Sequence, residues 1–214
     1  MNTDLVKYYK DRAKEYEKIY SKPERQEELA ETSKILQEIF NNKDVFEIAC
    51  GTGYWTERMA LTAKTILATD INQAVIEIAR QKEYSKQNVT FELLDIFDHP
   101  SKTKHKNIFA GFIWSHIKKQ ELPNFITALS SMMEAGGTVV IMDNNFVEGS
   151  NHPITKTDEF GNTFQTRKLD DGTSHLVLKN FPTESYFKEA IKELSTDVKF
   201  INLKYFWIAI ISKK

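Results

Sequence analysis

Only one cysteine, Cys50, occurs in the 214 residues, so no disulfide can form within the chain and a reducing compartment, the cytoplasm, is expected. Basic excess is missing too. Lys and Arg number 29 against 30 Asp and Glu, for a formal charge of −1 and a pI near 6.5; nucleic-acid partners, which need a basic footprint, are disfavoured. No apolar run approaches the ~18 residues of a membrane span, and the opening Met-Asn-Thr-Asp-Leu-Val-Lys has no apolar core before a cleavage site. Repeats and low-complexity tracts are lacking, and no metal site is expected. What remains, 41% hydrophobic and 28% charged residues, is ordinary for one globular α/β domain spanning 1–214.

Glycine is sparse, eight in all, yet Gly51 and Gly53 share one turn at the end of the apolar run Val-Phe-Glu-Ile-Ala-Cys (45–50). Both residues tolerate positive φ and let the backbone approach a ligand closely. The helix expected from Tyr54 offers unpaired N–H groups at its start, which points to a nucleotide-like cofactor. A dinucleotide fingerprint would carry a third glycine at position 56, where this chain has Thr. A second β-prone run, 65–69, ends in Asp70, seventeen residues after Gly53, where a carboxylate can accept from both hydroxyls of a ribose. Asn72 is placed to cap the next helix. A third run, 89–94, leads into Asp95-Ile96-Phe97-Asp98.

Glu47, Cys50, Gly51, Thr52 and Gly53, with Asp70 and Asp95 at the next two strand ends, resemble the nucleotide-binding motifs of class I S-adenosylmethionine-dependent methyltransferases over residues 45–143. The resemblance implies an α/β, doubly wound, seven-stranded and mostly parallel sheet of order 3-2-1-4-5-7-6, the last strand antiparallel. It implies S-adenosylmethionine as cofactor, held by the turn (Glu47, Ala49, Cys50, Gly51, Thr52, Gly53), by Asp70 and Ile71 at the ribose, and by Asp95 and Ile96 at the adenine. Ala49 departs from the family, where glycine is common, and should narrow the approach without closing it. The implied partition is a helical lid (1–43), a cofactor-binding core (44–143), an insertion (144–182) and a closing helix and strands (183–214). A nucleotide-dependent oxidoreductase and a non-catalytic S-adenosylmethionine-binding regulator are the competing readings.

Helices are expected over 4–20 and 24–40, parted by Ser21-Lys22-Pro23. Tyr16 and Tyr20 are candidates for lid contacts, whereas Tyr8 and Tyr9 read rather as core. The polar run 99–107 reads as a solvated loop. Residues 107–115 form a near-continuous apolar strand ending at Trp114-Ser115-His116; this end should face the reaction, with Trp114 against the cofactor and His116 the leading candidate base. A helix over 122–133 and Gly136-Gly137 precede a fifth strand, 138–142, ending at Asp143, a weaker base candidate, and Asn144, a candidate acceptor contact. The long insertion that follows holds Asp170-Asp171-Gly172 between alternating runs, a hairpin signal, with Arg167 and His175 as further acceptor contacts. A last helix runs from a Thr183 cap to about 194, followed by strands 198–204 and 206–212. The expected reaction is in-line methyl transfer to an O, N or C nucleophile of a small, partly aromatic or apolar metabolite, by a monomer or homodimer.

Overall fold

The computed structural model describes residues 3–97, 103–195 and 197–213; residues 99–102 of the polar run lie outside them. Five parallel strands, β1 (Asp44–Ile48), β2 (Thr65–Asp70), β3 (Val89–Leu93), β4 (His105–Gly111) and β5 (Met133–Asn144), are joined by β9 (Val198–Asn202) and β10 (Phe206–Ser212) in the order β3-β2-β1-β4-β5-β10-β9. Only β10 runs against the rest, pairing antiparallel with both β5 and β9. This is the expected order.

The pleat explains the two halves of the core. Phe46 and Ile48 of β1 point to one face, where α5 (Leu122–Met132) and α6 (Glu184–Ala190) supply Phe125, Leu129 and Phe187. Val45 points to the other, where α2 (Gln26–Ile39), its C-cap Phe40 and α3 (Tyr54–Ala60) supply Leu36, the Phe40 ring, Trp55 and Met59. Both faces are covered, so the central strands can be apolar throughout. Glu47 shares a face with Val45, and its carboxyl accepts from Thr56 Oγ1 of α3 at 2.7 Å. Thr56 therefore has a job at the position where a dinucleotide fold would need glycine.

Several boundaries differ from the sequence reading. The first helix, α1 (Thr3–Arg12), gives way to a 3₁₀ stretch over Ala13–Ser21. Tertiary contacts hold that tighter winding: Glu17 accepts from Thr52 Oγ1 at 2.8 Å and pairs with Lys82 at 2.6 Å. Strand β5 begins at Met133, not 138, because Met133 pairs with His105 before an irregularity that passes through Gly136, at φ 68°, and rejoins at Asn107–Thr138. Helix α6 is shorter than expected, although Thr183 caps it as anticipated by accepting from Tyr186 N.

The insertion builds a separate antiparallel sheet, β6 (Lys156–Thr157), β7 (Thr163–Lys168) and β8 (Ser174–Leu178). Its hairpin turns at Gly172, φ 88°, with Asp171 accepting from Thr173 N at 2.8 Å. Alternation along β7 buries Gln165 and Arg167 and exposes Thr166 and Lys168. Among the described residues, no helix is long and apolar enough to cross a membrane.

Candidate active site

The carboxyl ends of β1, β2 and β4 open onto one recess, as parallel α/β sheets commonly do. After β1 the chain turns through Ala49, Gly51 and Gly53, at φ 56°, 56° and 81°. At Gly53 a side chain would be crowded as well as strained, since a Cβ would lie 2.7 Å from the Tyr84 hydroxyl and 3.1 Å from Ala79 Cβ. Gly51 has no such crowding, its nearest neighbour being Tyr16 at 3.9 Å, so its bareness keeps open the recess that it lines.

Asp70 closes the turn from below. Its two carboxylate oxygens accept from Gly51 N and Asn72 N, each at 2.9 Å, leaving further lone pairs for a ligand. Burial pushes its pKa up to about 6. Asn72 caps α4 (Gln73–Arg80) by accepting from Ala74 N, and its amide donates to Val6 O, which ties α1 across the opening. Asp95, Ile96, Ile71 and Ile113 wall a narrower slot that shares Ala49 with the recess.

A second recess lies behind the first and shares with it Tyr9, Tyr16, Phe112 and His116. His116 is buried in this partition: its Nδ1 meets Leu178 O at 2.7 Å and its Nε2 meets the Tyr9 hydroxyl at 2.6 Å. The carbonyl can only accept, so Nδ1 carries the proton and Nε2 accepts from Tyr9. Burial first, then the charges of Lys179 and Arg167, hold the His116 pKa well below the usual imidazole value, so the ring is neutral at pH 7. The far side of the second recess is basic, with Arg12, Lys22, Arg25, Arg167 and Lys179 among its walls.

Residues 45–137 match the family described as a methyltransferase domain. In overall structure the chain is similar to DhpI, solved in a complex with SAH, with a TM-score of 0.80 at 23% identity over 98% of this chain and 95% of that one. It is also similar to the PH0226 protein from Pyrococcus horikoshii OT3, with a TM-score of 0.70 at 16% identity over 94% and 99%. A third likeness is the N-methyltransferase NodS from Bradyrhizobium japonicum WM9, with a TM-score of 0.60 at 13% identity over 89% and 97%. The stretch from residue 45 to residue 137 is a methyltransferase domain. No curated protein matches the sequence of this chain.

Of the residues singled out in the sequence, Tyr16, Ala49, Gly51, Asp70, Ile71 and His116 reach the first recess, Asp95 and Ile96 its side slot, and Asn144 and Arg167 the second recess. Others named from the sequence lie elsewhere. Trp114 turns into the core against Phe125 and Phe187, because the chain enters a 3₁₀ turn there; Phe112 and Ile113 face the recess instead. Tyr20 stacks on Tyr54 at 3.6 Å and accepts from Trp55 Nε1. Thr52 is engaged by Glu17, and Cys50 and Glu47 are buried behind the turn. His175 packs on the Tyr8 ring at 5.3 Å, outside both recesses. Asp143 is fully buried and its oxygens are occupied by Ser115 N, Asn144 N and Lys179 Nζ, so it holds its neighbours in place and does not reach either recess.

Arg12 and Lys179 were not picked out in the sequence, and Tyr9 read as core. Tyr9 and Arg12 sit three residues apart near the end of α1 and so share a helix face; that spacing was the available signal. The second recess is accordingly less apolar than the aromatic content suggested, because the rings form the partition while the cations line the far wall.

Ala49 and Phe112 both adopt left-handed backbone, at φ 56° and 59°, at the ends of β1 and β4. Such conformations store strain of order 1 kcal/mol in non-glycine residues and cluster at functional sites. We predict that Ala49→Gly raises stability by about 1 kcal/mol, the strain relief exceeding the added chain entropy. Thermal denaturation checks this, and an unchanged or lowered midpoint would show that the strain relief does not exceed the entropy cost.

Proposed function

We propose that the first recess holds S-adenosylmethionine and the second the methyl acceptor, a small molecule, with Tyr9, Tyr16, Phe112 and His116 between them. The observation that carries this reading is that shared wall, since a non-catalytic binder needs no second recess opening beside the first. Asp70 has lone pairs for ribose hydroxyls, Asp95 can accept from an adenine amino group, and Ile71, Ile96 and Ile113 offer apolar surface to the ring. The open face of Gly51 admits the close approach.

When bound, the cofactor supplies an electrophilic methyl on a positively charged sulfur. The protein's own contribution is alignment and exclusion of water, which can account for a large share of a barrier when the partners are held in line. Neutral His116 contributes a fixed acceptor at Nε2. Through the Tyr9 hydroxyl it can draw a proton toward itself from an acceptor on the far side.

Asp70→Ala is expected to weaken S-adenosylmethionine binding by about 1–3 kcal/mol, the cost of leaving buried polar groups without partners. Isothermal titration measures this. Affinity equal to the wild type would remove the ribose assignment. Release of S-adenosylhomocysteine across a library of small metabolites then identifies the acceptor.

A further inference from the structure

The two recesses differ in charge. On the first lies the Asp70 carboxyl. On the second, among the described residues, no Asp or Glu lines the wall, while Arg12, Lys22, Arg25, Arg167 and Lys179 all do. Among the described residues, only Lys179 of these five has an acid within ion-pair distance, Asp143 at 2.7 Å. Arg25 donates to Ser150 Oγ at 3.0 Å and to Ser150 O at 3.1 Å, with Glu24 and Glu28 near enough to favour its charge.

Among the described residues, Arg167 and Arg12 have only neutral partners, while Lys22 has Glu24 near enough to favour its charge. Arg167 is nine-tenths buried and donates to Gln165 Oε1 at 2.8 Å and 3.3 Å and to the Tyr8 hydroxyl at 3.5 Å. Arg12, equally buried, lies over the Tyr16 and Tyr8 rings at 5.3 Å and 5.7 Å. Lys22 Nζ donates to Ser150 O, and burial followed by the Arg25 charge lowers its pKa. Gathering buried cations without acids is costly unless a ligand supplies the missing charge. The two buried guanidiniums, Arg12 and Arg167, exceed what one carboxylate would balance, and planar guanidinium forks suit oxyanions that accept two bonds at once.

The geometry points to a methyl acceptor that is a small molecule carrying a doubly charged oxyanion group, held by Arg167 and Arg12 with Lys22 beside them. This rests on the reading of the second recess as the acceptor site. It also fits the charge division: a cationic methyl donor lies on the acidic side of the partition and an anionic acceptor on the basic side, so each recess disfavours the other's ligand.

The test is titration of the full chain with inorganic phosphate, malonate and acetate at constant ionic strength, with and without saturating S-adenosylhomocysteine. Phosphate or malonate is expected to bind at least tenfold more tightly than acetate, and whichever leads shows whether the group is tetrahedral or a pair of carboxylates. Arg167→Gln should weaken the preferred dianion at least tenfold and leave S-adenosylhomocysteine affinity within twofold, while Arg167→Lys recovers part of the loss. Dianions binding no better than acetate to the wild type would overturn the inference, whether or not the variants fold. Retained dianion binding in both Arg167→Gln and Arg12→Gln would overturn it as well. Failure of S-adenosylhomocysteine to bind would instead strike the donor-site reading, and the titration without it still decides the anion question.

Discussion

Replacing Lys179 by methionine is expected to destabilise the protein by about 3–5 kcal/mol, because it leaves the Asp143 carboxylate buried without a counter-charge. The pair is nearly inaccessible, with side-chain exposures of 4% and 0%, and its atoms are 2.7 Å apart. Lys179 also donates to Ser115 Oγ at 2.6 Å, while Asp143 accepts from Ser115 N at 2.9 Å. The pair thus fastens the end of β8 to the ends of β4 and β5. Burial lowers the Lys179 pKa to about 8 even though Asp143 acts in the opposite direction, which shows how much solvation is lost. Urea denaturation of Lys179→Met checks the loss. A change below about 1 kcal/mol, the range of exposed pairs, would mean that water reaches the carboxylate. The double variant Lys179→Met with Asp143→Leu should recover much of the stability, since no lone charge remains in the interior.

Glu47 gives a second large effect, visible as a dependence on pH. Burial raises its pKa to about 8, opposed by the Thr56 hydroxyl and reinforced by Asp70. The folded protein then holds a proton on Glu47 at pH values where the unfolded chain, with a pKa near 4.5, has released it. The native state binds more protons, so this group's contribution to stability falls as pH rises from about 4.5 and levels off above about 8. Glu47→Gln cannot titrate. Its stability relative to the wild type is therefore expected to improve by about 2–3 kcal/mol between pH 6 and 8.5, at roughly 1.4 kcal/mol per unit. Chemical denaturation of both proteins at the two pH values provides the comparison, and the difference cancels the opposite slope contributed by His116. A gap that does not vary with pH would mean that the carboxyl is ionised in the fold.

The sheet was readable because its signals are local. Continuous apolar runs in β1 and β4, the paired glycines, Asp70 at the end of β2 and Asp95 just past β3 each follow from a few neighbouring residues. The insertion hairpin was equally plain from Asp170-Asp171-Gly172. What escaped depends on contacts distant in sequence. Whether Trp114 or Phe112 faces the recess is decided by a 3₁₀ turn and by Phe125 and Phe187 waiting in the core. The tight winding of 13–21 depends on Glu17 meeting Thr52 and Lys82. Lys179 looks like any surface lysine until β5 brings Asp143 beneath it, and Arg12 like any solvated helix residue until β7 and the Tyr8 and Tyr16 rings enclose it. Alternation along β7 did indicate that one of its faces would be buried, but not that this face would turn toward the recess.

The methyltransferase match ends at residue 137, well before Arg167. Residues contacting the proposed donor and those giving the other chamber its positive character are therefore written largely on separate stretches of chain. Sequence drift across the stretch after β5 can retune which molecules are admitted while the nucleotide cradle stays as it is, so closely related chains that diverge there would be expected to share a donor and differ in what they modify.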